Sequence, residues 1–126
     1  MAIPSGSGTE IINRGWAEAC TANGYTYFKW DGTESTSTTA AVPTNHIITL
    51  LNFILCEGSN ATRVFSLQTY DGSTATSLLQ SVSVGAYQTY VFNDRLVLKG
   101  GDTLRVHCAT SSNFDLTFSF IDQDWT

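Results

Sequence analysis

The stretch Arg95–Cys108 reads RLVLKGGDTLRVHC, and its two short alternating runs decide the fold. Successive side chains of a strand point to opposite sides. Leu96 and Leu98 therefore share one face of the first run, opposite Arg95, Val97 and Lys99. In the second run Leu104, Val106 and Cys108 lie opposite Thr103, Arg105 and His107. Between them stands Gly100-Gly101-Asp102, a group suited to a tight turn because Gly tolerates positive φ and Asp bonds its local backbone. The stretch predicts a hairpin with one apolar and one polar face, and it puts His107 on the polar surface.

The same period recurs on either side. Phe114, Leu116, Phe118 and Phe120 alternate with Asp115, Thr117 and Ser119. Further runs cover Arg63 to Tyr70, Leu78 to Val84 and Tyr87 to Asn93, with Asn93-Asp94 turning into the opening hairpin. Tyr25 to Asp31 is aromatic on both faces, Glu10 to Cys20 reads as a strand, and residues 33–44 form a polar loop. Asn45 to Cys56, NHIITLLNFILC, is the most apolar run. Strict alternation puts Ile48, Leu50 and Ile54 on one face and Ile47, Leu51, Phe53 and Leu55 on the other. A strand apolar on both faces is central, covered by core within and by another layer or subunit outside. About eight strands spaced by turn signals predict an all-β, single-domain antiparallel sandwich of jelly-roll type over 10–126, preceded by a flexible arm over 1–9.

A chain of 126 residues is one domain large enough for its own core. It has no apolar run of the roughly 20 residues that span a bilayer. The start MAIPSGSGTE lacks the pattern of a secretory signal, so synthesis in a cytosol and no membrane association are expected. The net charge is −5, and the six basic residues Arg14, Lys29, Arg63, Arg95, Lys99 and Arg105 are scattered. That disfavours nucleic acid, which needs a concentrated positive patch. Charged residues make up 13% of the chain, whereas Ser and Thr number 31; such a surface is expected to be covered in part by something else.

Catalysis needs convergent titratable groups in a cleft. Asp31, Asp71 and Asp102 adjoin glycine and Asp94 follows Asn, positions where a carboxylate shapes a turn. No nucleophile elbow, zinc helix or phosphate loop is present. His46 and His107 carry no metal-ligand spacing, and Cys20, Cys56 and Cys108 read as buried free thiols. The chain is expected to be no enzyme and to use no cofactor or metal. The aromatic residues Trp16, Tyr25, Tyr27 and Trp30, with Trp16, Tyr27 and Trp30 foremost, offer a second possibility, a platform that stacks on sugar rings, against the simpler reading that such rings fill the core.

The stretch from Val91 to Trp125, VFNDRLVLKGGDTLRVHCATSSNFDLTFSFIDQDW, resembles the C-terminal half of small tailed-bacteriophage virion structural proteins, with their L-x-L-x-x-G-D-x-L-x-V segment and I-D-Q-D-W-like tail. IPSGSGTEII near the start is similar to the N-terminal arm of that group, while the middle of the chain is not similar. The resemblance implies a capsid decoration (cement) protein or a neck or tail accessory, located in the virion and often trimeric. Its partners would be copies of itself and the major capsid protein or other virion proteins. Ile3 and Pro4 of the arm and Trp125 of the tail are the interface residues that follow from this. Trp dominates interface energetics when it enters a pocket; the other possibility at Trp125 is that it folds back on its own sandwich.

Overall fold

The computed structural model describes residues 8–19, 24–108 and 114–125. Nine strands form: β1 (Thr9–Ala19), β2 (Gly24–Tyr27), β3 (His46–Glu57), β4 (Arg63–Tyr70), β5 (Ala75–Val84), β6 (Thr89–Phe92), β7 (Leu96–Lys99), β8 (Thr103–Cys108) and β9 (Phe114–Asp124). One sheet has the order β1-β9-β3-β6, with β7 also on β3; the other has the order β2-β8-β4-β5. Apart from the β4–β5 hairpin and the β6–β7 step, every connection passes from one sheet to the other. This is the wrapped topology of a jelly roll.

β6 and β7 are one strand position in two pieces. Both pair antiparallel with β3, β6 along Phe53–Cys56 and β7 along Ile47–Leu50. Counting them together restores the expected eight. Asn93-Asp94 therefore interrupts a strand and does not turn into a hairpin. The opening stretch needs a similar correction. Its turn is real: Asp102 N–H donates to the Lys99 carbonyl at 3.0 Å, the Asp102 carboxylate accepts from Lys99 N–H at 3.0 Å, and Gly101 has φ +91. Yet β7 pairs in the first sheet and β8 in the second. Leu98 and Leu104 thus belong to opposite layers and are both buried in the core between them. Alternation reports which side faces the core, and says nothing about which strand shares the hydrogen bonds.

The central run also departs from strict alternation. The β3–β9 register shifts between Leu50 and Asn52, so Leu51 is a bulge and the phase of the strand flips. The core face is Ile48 and Leu50 before the bulge and Phe53 and Leu55 after it, all essentially buried. Ile54 comes out on the other side, 40% exposed. Among the described residues that outer side has no covering layer.

Phe28, Trp30, Phe118 and Phe120 form the aromatic centre, with Phe28 and Phe118 4.7 Å apart and Trp30 edge-on to Phe120 at 5.1 Å. Gly15 of β1 makes room for this cluster, because a Cβ there would stand 2.1 Å from Cζ of Phe118. One side of the sandwich is closed by the segment at 34–36. Ser35 N–H donates to the Trp16 carbonyl on β1, and Tyr27 N–H on β2 donates to the Thr36 carbonyl. The edge strand β5 is kinked by irregular register against β4, with Ser81 at φ 52 and its amide taken by the Ser66 hydroxyl at 3.0 Å. Such a kink protects an edge against pairing with other chains.

Candidate functional site

The pairing of β1, β9, β3 and β6/β7 sets the outer face of the five-stranded sheet in rows. One row runs Ile12, Ile121, Thr49, Val97, and another runs Trp16, Thr117, Ile54, Val91. Side chains in such rows are direct cross-strand neighbours. Five of them are among the large apolar groups most open to solvent: Ile12 at 72%, Val97 at 65%, Val91 at 55%, Trp16 at 45% and Ile54 at 40%. Ile47 and Ile121 lie half-buried among them. Past β9 the ladder gains one more bond, from Trp125 N–H to the Asn45 carbonyl at 3.0 Å. The indole lies where a Cβ on Gly8 would stand, 2.9 Å from that position. Trp125 is thus folded onto its own chain beside the start of β1, while its Nε1 is buried without a hydrogen-bond partner.

Charges frame this face. Glu10, Gln123, Ile47 and Lys99 make one end row, and Glu18, Asp115, Cys56 and Thr89 make the other. Gln123 Nε2 donates to the Glu10 carboxylate at 3.2 Å, and the Lys99 ammonium lies 3.6 Å from Asp102. Between the two apolar rows lies a polar one of Arg14, Ser119 and Asn52, so the face carries two exposed apolar strips within polar surroundings, a composition found at protein contacts. The face could not be read from the run at Asn45 to Cys56 alone, because the Leu51 bulge exchanges the positions of Phe53 and Ile54.

The proposed sugar-stacking residues are not brought together as one platform, although Tyr25 and Tyr27 lie 6.1 Å apart. Trp16 is on this outer face, Trp30 is 7% exposed inside the aromatic centre, and Tyr27 is on β2 in the other sheet. Tyr25, the fourth of the set, belongs to a cluster on the outside of the four-stranded sheet. The Arg105 guanidinium stands 4.0 Å from the Tyr25 ring centre and 4.8 Å from that of Tyr70, and it donates twice to Gln68 Oε1, at 3.2 and 3.1 Å. His107 packs on Tyr25 at 4.8 Å. Sequence reading put Arg105 and His107 on the polar surface and Tyr25 in the aromatic set, without seeing that three strands bring them together with Gln68 and Tyr70. Ile3 and Pro4 lie outside the described residues.

Titratable groups serve the scaffold. His46 Nδ1 is 2.8 Å from Asp122 and its Nε2 is 3.4 Å from Asp124, linking the start of β3 to the end of β9. Beside them a cavity of about 340 Å³ is lined by Trp30, Pro43, His46 and Asp122. The Asp31 carboxyl is held below the usual carboxylate range by the Thr33 hydroxyl and then the Thr33 amide. The Thr74 and Ser73 amides do the same for Asp71. Both are turn carboxylates. Glu57 is fully buried with Oε1 accepting from the Ser59 amide at 2.8 Å and from its hydroxyl, while Oε2 has no partner. Among the described residues no group of three His, Cys, Asp or Glu is placed to hold a metal ion. Cys108 is disulfide-bonded and Cys56 is free, so the expectation of free thiols fails at Cys108. An odd cysteine count leaves room for one bridge and one thiol. Cys20 lies outside the described residues.

No protein-family model and no curated protein matches the chain. Among solved structures it is similar to a chain of infectious bursal disease virus, Gx strain, at 8% identity and TM-score 0.50, covering 92% of this chain and 33% of that one. The chain thus spans about a third of the viral protein's length. It is similar along its whole length to a subunit of Bacillus endospore appendages, described as disulfide-linked pili, at 10% identity and TM-score 0.52, covering 100% of this chain and 97% of that one. A pentameric capsid protein from metagenomic phage sequences aligns at 16% identity and TM-score 0.39, over 90% of this chain and 62% of that one. The first two are likenesses of fold.

Proposed function

We propose that the chain is a structural subunit of a virion, a jelly-roll sandwich that associates with itself and with the major capsid protein to decorate or stabilise a bacteriophage head shell. It acts through contact and not through catalysis. The observation that carries this reading is the outer face of the five-stranded sheet, where Ile12, Trp16, Ile54, Val91 and Val97 all stand open to solvent in the single chain. The resemblance of Val91 to Trp125 to phage virion proteins supports it, as does the jelly-roll likeness to a viral chain and to a pilus subunit. The test is co-sedimentation of the purified chain with shells assembled without it. Binding that Ile54→Lys abolishes is the expected result, and a wild-type chain that stays in the supernatant refutes the reading.

A second reading, glycan binding, is favoured by one observation, the rigid Tyr25–Arg105–Tyr70 set on the opposite face. Rings and a guanidinium fixed in this way suit a sugar bearing a carboxylate. Signal on a glycan array that Tyr25→Ala removes would establish it, and a blank array would remove it.

A further inference from the structure

We propose that the outer face of the five-stranded sheet packs on the same face of a second copy, about a twofold axis that runs along the strands between β9 and β3. The proposal rests on reading this face as a protein contact, and adds the partner and its geometry; the shell then takes up the pair, so that substitutions on this face remove shell binding by undoing the pair.

Two sheets stack about 10 Å apart with strands aligned to within about 30°. A twofold axis lying in that interface has two simple orientations. An axis across the strands keeps each strand over itself and reverses the rows. It sets Glu10 over Glu18, Gln123 over Asp115, and Arg14 over the second Arg14. Like charges in a desolvated contact oppose association.

An axis along the strands keeps each row over itself and reverses the strand order, so β1 of one copy lies over β6/β7 of the other and β9 lies over β3. Glu10 then meets Lys99, and this pair occurs twice, once at each edge. Ile12 meets Val97, Ile121 meets Thr49, Trp16 meets Val91 and Ile54 meets Thr117. The two acids at the far end fall on neutral groups, Asp115 over Cys56 and Glu18 over Thr89. Arg14 comes over the break at 93–95, which carries Asp94 beside Arg95. Every assignment follows from the observed register.

Nine rows at about 3.3 Å and four strands at about 4.8 Å give each copy a footprint of roughly 500 Å². Two such footprints reach the roughly 1,000 Å² at which a specific interface becomes credible. Burial of the isoleucines, valines and Trp16 supplies the affinity, while the exposed Glu10–Lys99 pairs select the orientation. The product is a pair, in place of the trimer that the resemblance implies.

The test uses the full chain in sedimentation velocity over a concentration series. A dimer is expected, weakened at least tenfold by Lys99→Glu and by Glu10→Lys, and restored when both substitutions are combined. Unchanged melting of each variant at concentrations below the dimer range shows that folding is intact. The free thiol of Cys56 gives a second readout, since its alkylation should slow as the concentration passes through the dimer range. A monomer, a trimer, a double variant no tighter than the singles, or alkylation independent of concentration each overturns the pairing. A monomer that still binds shells sinks the pairing alone, and a dimer that binds no shell sinks the virion reading alone.

Discussion

Replacing Gly15 by alanine places a methyl carbon 2.1 Å from Cζ of Phe118 and 2.5 and 2.6 Å from its two Cε atoms. Carbon contacts settle at about 3.5–4.0 Å, so the ring must retreat by about 1.5 Å. It has nowhere to go. Phe118 is fully buried, with Phe28 at 4.7 Å, Trp30 at 5.5 Å and Phe120 at 5.8 Å. Gly15 is not among the residues at positive φ, so the alanine backbone itself is unstrained and even gains about 0.4–1 kcal/mol by restricting the unfolded chain. Overpacking a close-packed core costs about 1–3 kcal/mol and sometimes more, and this site belongs at the upper end. A net loss of about 2 kcal/mol follows, which for a domain of this size lowers Tm by roughly 6–10 °C. Calorimetry on wild type, Gly15→Ala, Phe118→Leu and the double variant measures it. Leucine vacates the space under the new methyl, so the two losses should overlap by about 1 kcal/mol or more. A Gly15→Ala melt within about 2 °C of wild type, or a strictly additive double variant, refutes the close approach of β1 to the ring.

The remaining expectations concern surface, charge and burial. At concentrations below the dimer range, Ile12→Lys and Val97→Lys should shift stability by no more than about 0.5 kcal/mol, because both sites are exposed in the single chain, yet they should abolish shell co-sedimentation; a large fall in Tm at those concentrations would show that the face already packs within one chain. Asp31 and Asp71 have folded pKa values below their unfolded ones, so their contribution to stability is complete above about pH 4 and lost as pH falls through the folded values. Asp31→Asn and Asp71→Asn should therefore flatten the acid limb of a Tm-against-pH curve, and an acid limb identical to wild type would count against those turn bonds. Glu57→Ala should cost about 1–3 kcal/mol by leaving the Ser59 amide without its acceptor, while Glu57→Gln, which keeps an acceptor oxygen, should cost less in urea titration.

Much of this molecule is legible as a pattern of alternation. Phe114, Leu116, Phe118 and Phe120 face inward as their spacing requires, Glu10 to Cys20 contains a strand, and Arg63 to Tyr70 begins and ends where its turn residues place it. The reason is local, since a pleated backbone sends neighbouring side chains to opposite sides whatever the strand pairs with. The Asx-type turns at Asp31, Asp71 and Asp102 are local too, each carboxylate bonding an amide within three residues.

What the chain order leaves open is every choice that depends on a partner far away in sequence. RLVLKGGDTLRVHC contains its turn but not the fact that β7 joins β3 while β8 joins β4, because a two-residue shift in where the sheets divide costs no local term. The Leu51 bulge is decided only by the fit of β3 against β9, and one extra residue there turns Ile54 out and Phe53 in. The candidate contact face inherits that decision: Ile12, Ile54, Val91 and Val97 are scattered in sequence, and they become one surface only when four strands from both ends of the chain lie side by side.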